Sequence, residues 1–378
     1  MSQIRPTTAH IDLERLVHNL GVVRAMQPPN TKILCPVKGD AYGHGLVQCT
    51  QALEEAGADW FGVALLEEGK ALRAAGVLAP ILCLGGIGGK TDAANQALAH
   101  KLTPMVFDLD SAQALNEVAR VHGQAAQVHL KVDTGMGRLG VTMDRWESFL
   151  DRLDELKWIQ VQGLATHFAS AKEDPSFTQE QARRFRSALH ALKIRGHQPC
   201  LVHAANSAAA TLYEGLSFDM VRPGLALYGH AHSTQVNGLL PVMQLSTEVL
   251  CVKEIPANTG VSYGRKWVSQ RPTRLATLPV GYADGYPRAL SNKAWVSIHG
   301  HRCPVRGTVC MDLCLVDVTD LPVQVRPGDP VQLMGDQIPA KELAAHAGTI
   351  VYEILTGLSG RVPRLHQKGQ ARGETEPG

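Results

Sequence analysis

The sequence predicts an α/β chain, an N-terminal (β/α)8 TIM-type barrel followed by a mainly β C-terminal domain. Three observations predict it. Eight short apolar runs alternate with amphipathic stretches from about residue 33 to 228. Short runs spaced by Pro, Gly, Asn and Asp then take over from 240 to 335, and 378 residues are enough for two cores.

In chain order, the first ten or so residues are free to pair with either part, the β domain included. The strand candidates are KILCPV (32–37), WFGVA (60–64), PILCL (80–84), PMVF (104–107), QVHLKV (127–132), VQGLATHF (161–168), CLVHAAN (200–206) and DMVRPGLALYG (219–229). Between them, segments 46–57, 65–76, 110–123 and 177–196 carry helical periodicity, and most end on glycine. Eight such units favour a closed barrel over an open doubly wound sheet. The boundaries read as a barrel over 1–238, a β domain over 239–366 with a late helix near 338–348, and a frayed tail over 367–378 that lacks apolar content.

Composition narrows the function. Apolar residues make up 44% and charged residues 19%, which is a globular composition. With 37 basic against 35 acidic residues and no long run of either sign, neither nucleic acid nor an anionic membrane is an expected partner. Asp12 and Glu14 interrupt what a secretory signal would keep apolar, and no stretch is long enough to span a bilayer, so a cytoplasmic protein is expected. The eight cysteines form no CxxC pair and read as reduced thiols.

Three motifs mislead. Gly135-Met136-Gly137-Arg138-Leu139-Gly140 matches GxGxxG, but it follows the fifth strand rather than the first. The stretch Gly85–Thr91 is one residue short of a phosphate-binding P-loop. His299, His301 and Cys303 lack a fourth ligand nearby, so no metal is expected.

Barrel chemistry collects at the carboxyl ends of the strands. There the sequence sets Lys38, followed by three glycines within seven residues, Lys131 and Arg138 about the fifth strand, His167 after the sixth, Asn206 and Ser207 after the seventh, and Arg222 on the eighth. Singly, each is an ordinary capping or salt-bridging residue. Together they offer an amine, guanidiniums, an imidazole and small donors, a set suited to an anionic, phosphorylated ligand.

The segments 36–45, LKVDTGMGRLG (130–140), THF (166–168), HAANS (203–207), VRPGLALYG (221–229), VSYGRKW (261–267), LPVGYADGYPR (278–288) and GTVCMD (307–312) together resemble the bacterial alanine racemases, in order from Arg5 to Arg364. The resemblance implies pyridoxal 5′-phosphate (PLP) as cofactor, L- and D-alanine as substrates, and a homodimer whose active sites borrow residues from the partner. Carried over by residue, Lys38 would hold the cofactor and serve as base on the D-alanine face. Tyr263, from the other subunit, would be the base on the L-alanine face. His167 would hydrogen-bond that tyrosine, and Arg222 would link His167 to the pyridine nitrogen, leaving it unprotonated. Tyr42, Ser207, Gly224 and Leu225 would hold the phosphate beside Asn206. Arg138 and Met311 would meet the substrate carboxylate, Lys131 would be carbamylated to steady Arg138, and Tyr286 would line the entrance. Arg222 also argues against the barrel decarboxylases, which set an acid at the ring nitrogen. The resemblance implies D-alanine supply for peptidoglycan or a role in alanine catabolism. One departure is Gly360, where some members carry a tyrosine, and it suggests a side activity on serine.

Overall fold

The computed structural model describes residues 5–231 and 236–367. Contacts divide the chain into two units. One holds Leu16–Ala41 and Leu46–Leu240; the other gathers 5–15, Tyr42–Gly45 and the chain from Pro241 on.

After strand β1 (Thr8–Asp12), which belongs to the second unit, and helix α1 (Leu13–Ala25), eight parallel strands build the barrel. They are β2 (Lys32–Pro36), β3 (Trp60–Val63), β4 (Ile81–Cys83), β5 (Leu102–Val106), β6 (Ala126–Asp133) with a two-residue spur β7 (Val141–Thr142) beside it, β8 (Ile159–Ala165), β9 (Leu201–His203) and β10 (Met220–Val221). Strands covered on both faces are apolar throughout rather than alternating, and β3, β4 and β5 are buried at every residue. Neighbours pair in sequence, β10 returns to β2, and the ring closes where Asp219 N–H donates to Val202 O (3.0 Å) and Arg222 N–H to Ala205 O (2.9 Å). Leu34, Trp60, Leu82, Met105, Ala165, Leu201 and Met220 form the interior cluster.

Helices α2 (Lys38–Gly43), α3 (Leu46–Glu55), α4 (Leu66–Ala74), α5 (Thr91–Ala99), α6 (Leu109–His122), α7 (Trp146–Leu153), α8 (Pro175–Ile194), α9 (Ser207–Leu212) and α10 (Gly224–Leu227) fill the connections. Local chemistry sets their ends. Asp108 caps α6 by accepting from Ser111 N–H, and Gly123 ends it at φ +66°; Asp174 caps α8 ahead of Pro175. The eighth strand is shorter than the sequence suggested, because Pro223 offers no N–H to a ladder and Gly224 opens a helix instead. The seventh likewise stops at His203, three residues before Asn206 caps α9.

The second unit is a six-stranded sheet in the order β17-β16-β19-β11-β1-β20, with a three-stranded sheet β12-β15-β18 and a ribbon β13-β14. Its further strands are β11 (Met243–Glu248), β12 (Cys251–Ile255), β13 (Gly260–Val261), β14 (Trp267–Val268), β15 (Thr273–Leu278), β16 (Trp295–Ile298), β17 (His301–Pro304), β18 (Cys314–Asp317), β19 (Pro330–Met334) and β20 (Arg364–Gln367). The late helix is α11 (Ala340–Ala347), followed by a second, α12 (Val351–Thr356). Strand β1 lies antiparallel to β11 and parallel to β20. Gln367, grouped with the tail from sequence, pairs with Asp12 in this sheet; 368–378 lie outside the described residues. No helix among the described residues is long and apolar enough to cross a membrane.

Candidate active site

The turn after β2 is left-handed. Gly39, Asp40, Ala41, Tyr42 and Gly43 all have positive φ, from 52° to 82°. Three of these carry a Cβ, and a run of such residues costs about 1–2 kcal/mol apiece. Acceptors around the turn over-determine it. Glu68 Oε1 accepts from Gly39 N–H at 2.7 Å, Asp40 Oδ1 accepts from Leu46 N–H at 2.8 Å, and Ala41 N–H donates to Val37 O at 2.7 Å. Strain kept in this way is a mark of a working site. Lys38 begins the turn. Its ammonium is lowered below the usual lysine range by burial and then by Arg138, with Glu68 opposing and Arg222 adding a smaller push.

Arg222 is buried at the rim and ties three strand ends together. Nη1 donates to His203 Nδ1 (2.7 Å); Nη2 donates to Thr166 O (2.8 Å), Ala204 O (3.1 Å) and His167 Nδ1 (3.1 Å). An arginine offers five N–H groups and accepts nothing. Its Nε–H and second Nη1–H make no hydrogen bond among the described residues. Burial and Arg138 push the guanidinium down to about 10, so it is still a cation at neutral pH. Burial and the Arg222 charge hold His167 well below its ordinary value, so it is neutral with Nδ1 accepting and the proton on Nε2.

Lys131 is buried on β6, and burial, followed by Arg222 and Arg138, brings it down to about 7. Asp133 opposes this, but its carboxylate is already engaged. It accepts from the N–H groups of Gly135 (2.9 Å), Met136 (2.8 Å) and Gly137 (2.8 Å). The GxGxxG segment thus spends its amides on its own chain. Arg138 follows, exposed.

At the other strand ends, Asn206 accepts from Ala209 N–H (3.0 Å) and donates to Phe168 O (3.3 Å). Ser207 Oγ accepts from Ala226 N–H at 3.3 Å, and Gly224 N–H turns back to Arg222 O at 3.0 Å. Leu225 is buried beside them.

In the second unit, Tyr42 packs on Tyr352 with ring centroids 5.8 Å apart, and burial raises its phenol. Tyr263 is 73% exposed. Its backbone is fixed by Thr308 Oγ1 donating to Tyr263 O (2.8 Å), and Ser262, Gly264 and Arg265 around it have positive φ. It borders a cavity of about 420 Å³ with Lys253, Thr277, Cys310 and Leu313. Met311, 53% exposed, is set by Ala283 N–H donating to its carbonyl. Tyr286 is buried within this unit, so it does not line an entrance; Tyr282 is the exposed tyrosine of that segment. Gly360 is exposed, and a Cβ there would meet nothing.

His203, His129 and Glu68 escaped the sequence reading. The signal for His129 was present, because it lies two residues before Lys131 on the same face of β6.

Among the described residues no carboxylate forms an ion pair with Lys38, Lys131, Arg138 or Arg222. A rim with this much positive charge, a depressed amine and spare guanidinium N–H groups fits an anionic, aldehyde-bearing cofactor with an acceptor ring nitrogen. Fold and rim together define a barrel enzyme that works through an amine on an anionic ligand.

The family model described as "Alanine racemase, N-terminal domain" matches residues 11–232, and the one described as "Alanine racemase, C-terminal domain" matches 242–366. The chain is 44% identical over 372 residues to an alanine racemase of Halothermothrix orenii, covering 96% of this chain and 97% of that one. The solved alanine racemase from D-cycloserine-producing Streptomyces lavendulae gives a TM-score of 0.91 at 36% identity, covering 98% and 99% of the two chains. That of Bartonella henselae, solved with covalently bound pyridoxal phosphate, gives 0.87 at 30%, covering 96% and 99%. The chain belongs to the alanine racemase family.

Proposed function

We propose that this chain is a PLP-dependent alanine racemase that interconverts L- and D-alanine with two bases, Lys38 and the partner subunit's Tyr263, in a homodimer. The single observation that carries the reading is Arg222, a buried donor-only group with spare N–H groups beside Lys38 and His167. PLP, when bound, draws electrons away from the substrate Cα and acidifies its proton. Lys38 would hold the cofactor through Nζ and, once the substrate's own amine had displaced it there, its freed amine would move a proton on the D-alanine face. Tyr263 does the same on the L-alanine face, since inversion requires groups on opposite sides.

Arg222 keeps the ring nitrogen hydrogen-bonded without giving up a proton. His167, accepting from Arg222 on Nδ1, presents Nε2–H to the tyrosine oxygen and favours its basic form. Tyr42, Ser207 and Leu225 serve the phosphate; for Gly224 to join them, its N–H has to leave Arg222 O. Asn206 supports that cradle as the cap of α9. Arg138 and Met311 orient the substrate carboxylate. Lys131 becomes a carbamate: its neutral amine adds to CO2, an N–C bond forms and a proton leaves, and the new anion steadies Arg138.

The enzyme acts in the cytoplasm, as a source of D-alanine for peptidoglycan or in alanine catabolism. Whether a deletion strain requires added D-alanine separates these roles.

The test is incubation with L-alanine in deuterated water. Cα deuterium together with D-alanine is expected. Deuterium without D-alanine would mean that one base acts alone, and neither signal in PLP-loaded protein would overturn the reading.

A further inference from the structure

A buried histidine below the rim is not needed for any step above. His129 is fully buried on β6, with its ring 5.3 Å from that of Trp60. A leucine would fill such a place without the cost of desolvating an imidazole. The barrel nevertheless makes two local adjustments around it. The pairing of β6 with β8 jumps from Val128↔Val161 to His129↔Gly163, so Gln162 is an extra, bulged residue. Gly163 has no Cβ, and one built there would stand 2.6 Å from the His129 ring.

The hydrogen bonds around His129 run in one direction. Arg222 can only donate, so His203 Nδ1 accepts. Burial and the Arg222 charge keep His203 neutral, and its proton is therefore on Nε2, 2.8 Å from His129 Nδ1. Burial brings His129 down to about 3, so it too is neutral, accepting on Nδ1 and carrying its proton on Nε2. That nitrogen and Gln162 Oε1 face each other outside strict hydrogen-bond geometry, and neither has another partner.

We infer that His129 is a positioning residue for Arg222, acting through His203, and that the Gln162 bulge and Gly163 exist to seat it. The one-way relay Arg222→His203→His129→Gln162 fixes His203 as an acceptor. Were His203 to carry its proton on Nδ1, two donors would oppose each other and the guanidinium would turn from the ring nitrogen. The inference deepens the racemase reading and rests on it.

The experiment uses 15N-histidine-labelled holoenzyme, wild type, His129→Leu and His129→Asn. Long-range 1H–15N spectra are expected to show His129 and His203 as neutral Nε2–H tautomers. His129→Leu is expected to lower kcat about tenfold while KM changes less than about twofold, and to shift the visible absorption band of the bound cofactor. His129→Asn, whose Oδ1 restores the acceptor, is expected to recover most of kcat. An Nδ1–H tautomer at either histidine, or a His129→Leu enzyme with a lower Tm but unaltered kcat and band, would overturn the inference. Wild-type protein with the expected tautomers but no racemisation would instead sink the functional reading and leave the relay standing.

Discussion

At the scale of single residues, Lys131 gives a pH signature. Burial and the neighbouring Arg222 and Arg138 lower its ammonium to about 7, from 10.5 in the unfolded chain. Between those values the folded chain binds fewer protons than the unfolded one, so this group adds stability as pH rises from 7 toward 10 and withdraws it as pH falls. In CO2-free buffer, Lys131→Met is expected to flatten the rise in Tm between pH 7 and 9; an equally steep rise would contradict the assignment. In bicarbonate, native intact mass of the wild type is expected to carry one added CO2 that Lys131→Met lacks. Arg222→Glu exchanges a donor for a group able to share a proton with the ring nitrogen. It is expected to lower racemisation and to raise the half-transamination side product per turnover; an unchanged product ratio would remove this account. Lys38, Lys131 and Arg222 were legible because each is a polar residue at the end of an apolar run. His203, His129 and Glu68 were not, since each acts through a partner on another strand or helix, 19 to 74 residues away in the cases of the two histidines and 29 for Glu68.

At the scale of elements, the bulged strand β8 is the most sensitive. Gly163→Ala drives a methyl into the His129 ring and is expected to cost about 1–3 kcal/mol, read as a lower urea midpoint. The opposite holds near β20. A side chain at Gly360 enters open space within its own unit, so Gly360→Tyr is expected to leave Tm unchanged. The same variant is expected to lower the serine-to-alanine ratio of kcat/KM, and an unaltered ratio would dispose of the serine side activity. Strand existence was readable from short apolar runs, because parallel strands covered on both faces show mostly apolar side chains, with buried polar residues such as His129, Lys131 and His203 the exceptions. Strand ends were less readable, as at Pro223 and Asn206, where a missing N–H and a helix cap end the ladder while the run continues. The left-handed turn at Gly39–Gly43 was not readable as a continuous run, because Ala41 and Tyr42 at its centre are not residues that favour positive φ.

At the scale of the whole molecule, the two proposed bases belong to different units, Lys38 to the barrel and Tyr263 to the β unit. If each site takes Lys38 from one subunit and Tyr263 from its partner, Lys38→Ala and Tyr263→Phe proteins are inactive alone, while a refolded equimolar mixture recovers about a quarter of wild-type activity. A mixture that stays inactive would place both groups within one chain. The exposure of Tyr263, Met311, Tyr282 and Leu313 on the β unit supports the shared arrangement. No local pattern could have announced that β1 joins strands from the far end of the chain, since a pairing across more than two hundred residues leaves no periodicity to read. That pairing also sets a schedule for synthesis. β1 is translated ahead of the barrel, yet its neighbours follow only after the barrel, on the order of ten to fifty seconds later for β11 and about twenty to seventy seconds later for β20 at about 5–20 residues per second. For that interval Ala9 and Ile11, fully covered in the finished fold, have no strand beside them. The nascent chain therefore carries an apolar hook ahead of the barrel, a ready target for a holding chaperone until β11 and β20 are released.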